Sequence, residues 1–113
     1  VPVAHTDNLE ATTALFKEEL TRYLRLPFYR AMLAASGFGD DLAAFDRDRG
    51  QPASPGRAIP DRLAAALGGI GKEDVVRAYV AAYRRAGVTL PAVRPIGFPD
   101  APHYRSTLAA LTR

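Results

Sequence analysis

Cysteine is absent from the 113 residues, so the chain forms no disulfide and offers no thiol nucleophile or thiolate metal ligand. Tryptophan is also absent, and methionine occurs once. Only two histidines are present, His5 and His103, with no HxxxH spacing. A zinc site needs three or four ligands, so no metal is expected. Lysine is nearly missing: beyond Lys17 and Lys72 the basic charge is arginine. The net charge is only +3, and the arginines are interleaved with Asp and Glu. No polybasic tail results, and nucleic acid is not the expected partner. No apolar run approaches the ~18 residues of a membrane helix, and no basic segment followed by an apolar run marks a signal peptide. A cytoplasmic location without a membrane partner is therefore expected. The chain opens on Val1, which reads as a processed or truncated product.

What is present suits a globular domain. The 48% hydrophobic content supports one modest core. Residues 1–5 read as the end of a strand, with Pro2 tolerated at a sheet edge. Asp7 and Glu10 have the spacing of a capping box, opening a helix that runs to about Leu24. Leu9, Phe16, Leu20, Tyr23 and Leu24 form its apolar face. Leu26 precedes Pro27, so that helix ends there, and Pro27 begins a second over residues 27–36, stopped by Gly37. A short third helix spans 40–48, carrying Leu42 and Phe45. Residues 49–58 hold two prolines and two glycines and predict a mobile loop. A fourth helix follows to Gly68-Gly69, burying Leu63 and Leu67.

The stretch 70–96 begins as an amphipathic helix with Val75, Val76, Tyr79, Val80 and Tyr83 on its face and Gly87 at its end. A β-like run over 88–96 follows, interrupted by Pro91 and Pro95. A turn at 97–100 leads to a last helix through Leu111. The expected fold class is mainly α with one or two short strands. The α-β-α order over 71–111 is that of a β/α protein, and the segment before it reads as a helical insertion.

Several stretches carry chemistry on paper. Gly68-Gly69-Ile70-Gly71-Lys72 resembles the tail of a phosphate-binding loop, but Ala66 and Glu73 stand where the motif needs glycine and Ser or Thr, so a helix cap and turn is the expectation. His5 sits where a strand meets a loop, the place where β/α barrels carry their chemistry. His103 and Ser106 share a helix face without the third partner of a triad. Asp40, Asp41, Asp46, Arg47, Asp48 and Arg49 read as a solvated face. Arg77 and Arg84 share a face, but Glu73 and Asp74 crowd the end that would enter a DNA groove. Tyr23, Leu26, Pro27, Phe28, Tyr29 and Arg30 form the densest aromatic group. Its plainest reading is a helix–helix core. Its functional reading is one wall of a pocket for a flat ring, with Tyr29 and Arg30 as polar contacts.

That group carries a resemblance. Residues 21–38, TRYLRLPFYRAMLAASGF, are similar to the Tyr-Leu-x-Leu-Pro-x-Tyr…Gly-Phe stretch of the luciferase-like monooxygenases. Residues 1–11 look like that family's late strand and capped helix, and residues 69–95 like its Ile-Gly-x-x-Glu-x-Val…Ala-Gly-Val…Pro module. The resemblance implies the C-terminal part of a (β/α)8 barrel with its helical insertion. Residues 1–48 would be strand remnant and insertion, 49–58 the mobile loop and 59–113 the closing helix-strand-helix. It also implies an FMN- or deazaflavin-dependent oxidoreductase as parent, with catalytic residues upstream. The pocket candidates carried here are Leu26, Pro27, Phe28, Tyr29, Arg30 and His5. The segment alone is expected to be inactive and to hold no cofactor tightly. Its expected partner is the remainder of the barrel, or a second copy of itself. The alternative expectation is a free-standing helical module that binds protein or nucleic acid.

Overall fold

The computed structural model describes residues 1–49, 55–97 and 100–112. The chain divides into two compact units, one of residues 1–13 and 65–113, the other of residues 14–64.

In the first unit Val3 and Ala4 are small and branched enough to be fully buried, and they form the middle of strand β1 (Pro2–His5). β1 is the central strand of a three-stranded parallel sheet of order β2-β1-β3, with β2 at Gly69–Gly71 and β3 at Arg94–Pro95. Val3 faces Gly69 on one side and Pro95 on the other. The edge position suggested by Pro2 is thus corrected. Pro2 is the first residue of the strand, where a missing N–H is harmless even in the middle of a sheet. The turn after β1 starts helix α1 (Leu9–Tyr23). Its cap is Asn8, whose Oδ1 accepts the Ala11 amide at 3.1 Å, and not the Asp7–Glu10 pair. Thr6 Oγ1 in turn accepts the Asn8 amide at 3.0 Å and the buried Thr12 hydroxyl at 2.9 Å.

β2 replaces the expected cap and turn. Its glycines are poor strand formers, but a Cβ on Gly69 would lie 2.6 Å from Tyr79, so close approach of the next helix requires glycine there. That helix is α5 (Glu73–Arg85), opened by extended Lys72 with Glu73 and Asp74 in its first turn. It ends in a Schellman motif: Gly87, at φ 104°, donates to the Arg84 carbonyl, and Val88 donates to the Tyr83 carbonyl. Only Val76 of its expected face is buried; Val75 is exposed, and Tyr79, Val80 and Tyr83 are half-buried. A three-residue strand offers too little surface to cover five apolar side chains. The β-like run over 88–96 shrinks to β3, because Pro91 and Pro95 have no N–H to donate, and Leu90 is 86% exposed. Of the turn at 97–100, residues 98 and 99 lie outside the described residues. Helix α6 (Pro102–Thr112) packs on β1 and β3 and against α5, and α5 packs on β2 and β1.

In the second unit α1 contributes Phe16 and Leu20, buried together with Leu24 just beyond its end, while Tyr23 is exposed. In the first unit's part of α1, Leu9 of the expected face is exposed. Leu26 is extended, as a pre-proline residue must be, and Pro27 is the first residue of α2 (Pro27–Leu33). Ala34–Phe38 then form one wide π turn, in which Gly37 takes φ 94°, the left-handed conformation expected of a helix-stopping glycine. Helix α3 (Gly39–Asp48) follows at once and buries Leu42 and Phe45. Of the loop at 49–58, residues 50–54 lie outside the described residues, and Pro55–Ala58 form a single 3₁₀ turn. Helix α4 (Asp61–Leu67) buries Leu63, and Leu67, in the first unit's part of that helix, is half-buried. Leu33 and Ile59 are buried as well. Each such side chain contributes about 1.5–3 kcal/mol by leaving water. The fold is therefore mainly helical with a small parallel sheet. Among the described residues no helix is long and apolar enough to cross a membrane.

Candidate functional site

His5 belongs to the sheet-bearing unit, and Leu26, Pro27, Phe28, Tyr29 and Arg30 belong to the helical unit. His5 is the last residue of β1, at the carboxyl end of the central strand. There the β1–β3 ladder stops. Arg94 donates to the Val1 carbonyl and Ile96 to the Val3 carbonyl, both at 2.9 Å. The alternation of a parallel ladder makes the next rung the His5 amide to the Ile96 carbonyl. Instead the strands part, and α6 supplies both partners. Thr107 Oγ1 accepts the His5 amide at 2.8 Å, and His103 Nε2 donates to the Ile96 carbonyl at 2.6 Å. Ser106 Oγ donates to the His5 carbonyl at 2.9 Å. Thr107 and His103 are buried, and among the described residues no buried side-chain polar atom lacks a partner.

The fork explains why three polar residues sit on the inner face of α6. His103 and Thr107 are four apart, so they lie one turn above each other and reach the two strands in turn. Thr107 Oγ1 also donates back to the His103 carbonyl at 2.7 Å. The His103–Ser106 spacing is structural: Ser106 Oγ lies 2.9 Å from the His103 main-chain carbonyl, not from its ring. The His5 ring lies with Nδ1 3.3 Å from the Ser106 carbonyl. Sequence reasoning singled out His5 but missed Thr107. A threonine four residues after a histidine is no signal until the strand ends they cap are known.

In the helical unit the aromatic group is not a core. Phe28 is 83% exposed, Leu26 52% and Tyr23 43%, so the expected helix–helix packing is corrected for these residues. α2 turns Leu33 inward and leaves Phe28 and Met32, four apart, facing out. The Tyr23 and Tyr29 rings meet at 5.4 Å in a tilted pair. Arg30 is engaged twice, by the Leu24 carbonyl at 2.8 Å and by Asp46 at 2.5 Å. Its guanidinium therefore locks the α1–α2 corner.

The acidic clusters also differ from a uniformly solvated face. Asp41 is only 7% exposed and takes a 2.6 Å ion pair from Arg62. The same guanidinium donates to the Gly37 carbonyl at 3.2 Å and lies over the Phe38 ring at 5.0 Å. One arginine of α4 thereby fastens the π turn, and its hydrogen bond to Asp41 holds its pKa above the ordinary value. Asp40 and Asp46 are exposed, as expected. Arg47 bonds its neighbour Asp48 at 3.0 Å, which lowers the Asp48 pKa below the ordinary carboxylate value. Lys17 pairs with Asp61.

The remaining stretches resolve simply. Gly68 to Lys72 contains β2 and the first turn of α5. Arg77 is paired with Glu73 at 3.0 Å on its own helix, and Arg84 is exposed. Among the described residues no three His, Cys, Asp or Glu side chains are grouped to hold a metal. No family model matches the chain, and neither a curated protein nor a solved structure is significantly similar to it.

Proposed function

We propose that this chain is the C-terminal portion of a luciferase-like oxidoreductase that depends on FMN or a deazaflavin. The supporting observation is the parallel pairing of β1 with β3, joined by a connection that contains helices α1 to α5 and strand β2. Parallel neighbours separated by a helix are the building unit of β/α enzymes. A sheet of four-, three- and two-residue strands leaves most of the α5 face uncovered, as expected of a piece of a larger sheet.

The residues present fit part of a cofactor site. Leu26 and Phe28 offer an exposed apolar wall, and the tilted Tyr23–Tyr29 pair stiffens it. Arg30 does not fit a phosphate-holding role, because Leu24 and Asp46 already engage it. The isoalloxazine or deazaflavin ring supplies hydride transfer when bound. The wall excludes water and orients the ring, and the groups that hold its phosphate belong to the rest of the enzyme.

A second reading is favoured by the strand order. Consecutive staves of a barrel lie side by side in chain order, whereas here β1 sits between β2 and β3. An order of 2-1-3 is that of an open, doubly wound sheet, which binds ligands at the carboxyl ends where the order reverses. Titration with oxidised and reduced FMN and with a deazaflavin tests the first reading. The expected outcome is no stoichiometric binding to the 113-residue chain and 1:1 binding once the preceding coding sequence is restored. Tight binding by the 113 residues alone, or a preceding sequence without β/α units, overturns it. A monodisperse monomer with salt-sensitive DNA binding would instead favour a free-standing module.

A further inference from the structure

The two histidines are held in opposite ways. A backbone carbonyl only accepts, so the ring nitrogen facing it must carry the proton when the imidazole is neutral. For His103 that nitrogen is Nε2, 2.6 Å from the Ile96 carbonyl. For His5 it is Nδ1, 3.3 Å from the Ser106 carbonyl. His5 Nε2 is left as a bare lone pair. Among the described residues it has no hydrogen-bond partner and is not a buried unpaired atom, so with respect to them it is open to solvent. The His5 amide and carbonyl are both fastened to α6, by Thr107 and Ser106. The ring therefore sits on a residue whose backbone is held at both its amide and its carbonyl, at the carboxyl end of the central parallel strand.

We propose that His5 Nε2 is a ligand-facing hydrogen-bond acceptor, taking the proton of a hydroxyl or ring N–H of a bound small molecule. The proposal rests on the reading that β1 belongs to a ligand-binding β/α sheet. Both forms of that reading, barrel and open sheet, put ligands at this end of the strands. Ser106 is then a positioning residue: its carbonyl selects the tautomer, as the second hydrogen bond of a functional histidine commonly does.

Long-range proton–nitrogen NMR of the imidazole rings, at a pH where they are neutral, reads the tautomers on the 113-residue chain. The expected result is a protonated Nδ1 and bare Nε2 in His5, and the reverse in His103 as internal control. A protonated His5 Nε2 overturns the proposal. Phenol and anisole then probe the ligand class, since they share a ring but only phenol donates. Phenol should shift the His5 Nε2 resonance and anisole should not. His5→Asn keeps a donor toward the Ser106 carbonyl and removes the acceptor. It should weaken phenol binding, followed by the backbone amide shifts of Ser106 and Thr107 in both proteins, by about fivefold, the worth of one neutral hydrogen bond. Equal responses to both probes overturn the assignment. These readouts need no flavin and no preceding sequence, so their failure is distinct from failure of the flavin reading.

Discussion

Gly69 shows how one missing side chain sets a contact. Its alanine replacement would put Cβ 2.6 Å from Tyr79, whose hydroxyl is tied to the Ala66 carbonyl at 2.7 Å. The ring cannot swing aside without breaking that bond, so α5 must lift from β2. Gly69→Ala is expected to destabilise the chain by about 1–3 kcal/mol, the ordinary result of overpacking, measured by urea unfolding. A neutral result would mean that β2 and α5 are less closely packed than described. A second residue-scale effect concerns acid. Arg47 lowers the Asp48 pKa in the folded chain, so this pair contributes stability above the ordinary carboxylate pKa. That contribution fades as the pH falls through the lowered value, when the folded carboxylate takes up its proton. Both side chains are on the surface, so the effect is small and screened by salt. Asp48→Asn should lower the unfolding midpoint slightly at neutral pH and remove the part of the acid dependence that sets in below about pH 4, near the unperturbed Asp value, so that variant and parent converge in acid.

At the scale of elements, α6 is fixed by polar side chains that complete a sheet. Thr107→Val keeps the shape of the side chain and removes the acceptor of the His5 amide. A buried amide without a partner costs about 1–3 kcal/mol, and hydrogen exchange at His5 should quicken more than at Val3, whose neighbours are unchanged. Equal exchange at both positions would argue that the fork is not held by Thr107. This element also marks how far the sequence could be read. The Pro27 start of α2, the left-handed Gly37 and the Gly87 end of α5 were legible because each follows from the residue's own backbone preferences. The core positions Phe16, Phe45 and Leu63 were legible from spacing. β2 was not, since two of its three residues are glycine and only its neighbour β1 makes it a strand. Asp41 and Thr107 were not either, because their partners Arg62 and His5 stand 21 and 102 residues away. The exposed Phe28 was misread for a related reason: apolar spacing says which residues share a face and not whether anything covers it.

At the scale of the whole molecule, the strand order separates the two readings of the sheet. If β1 and β3 are consecutive barrel staves, the preceding stave of the complete barrel belongs on the other edge of β1. In the 113-residue chain β2 holds that edge, with Ala4 facing Ile70 and His5 facing Gly71. Both strands cannot pair there, so a barrel requires β2 to leave when the preceding sequence is present. An open sheet of order 2-1-3 requires β2 to stay. The absence of cysteine makes this measurable with no background thiol. Parallel neighbours lie about 4.8 Å apart, within reach of a disulfide between facing residues. Ala4→Cys with Ile70→Cys should therefore cross-link on oxidation in the 113-residue chain, read as a thiol count and a mass loss. The extended protein decides between the readings. Loss of the cross-link there, with reactive thiols at both positions, supports the barrel. A cross-link that persists in the extended protein removes the barrel and leaves the open sheet, whose ligand site would then be sought beside His5, where β1 and β3 part.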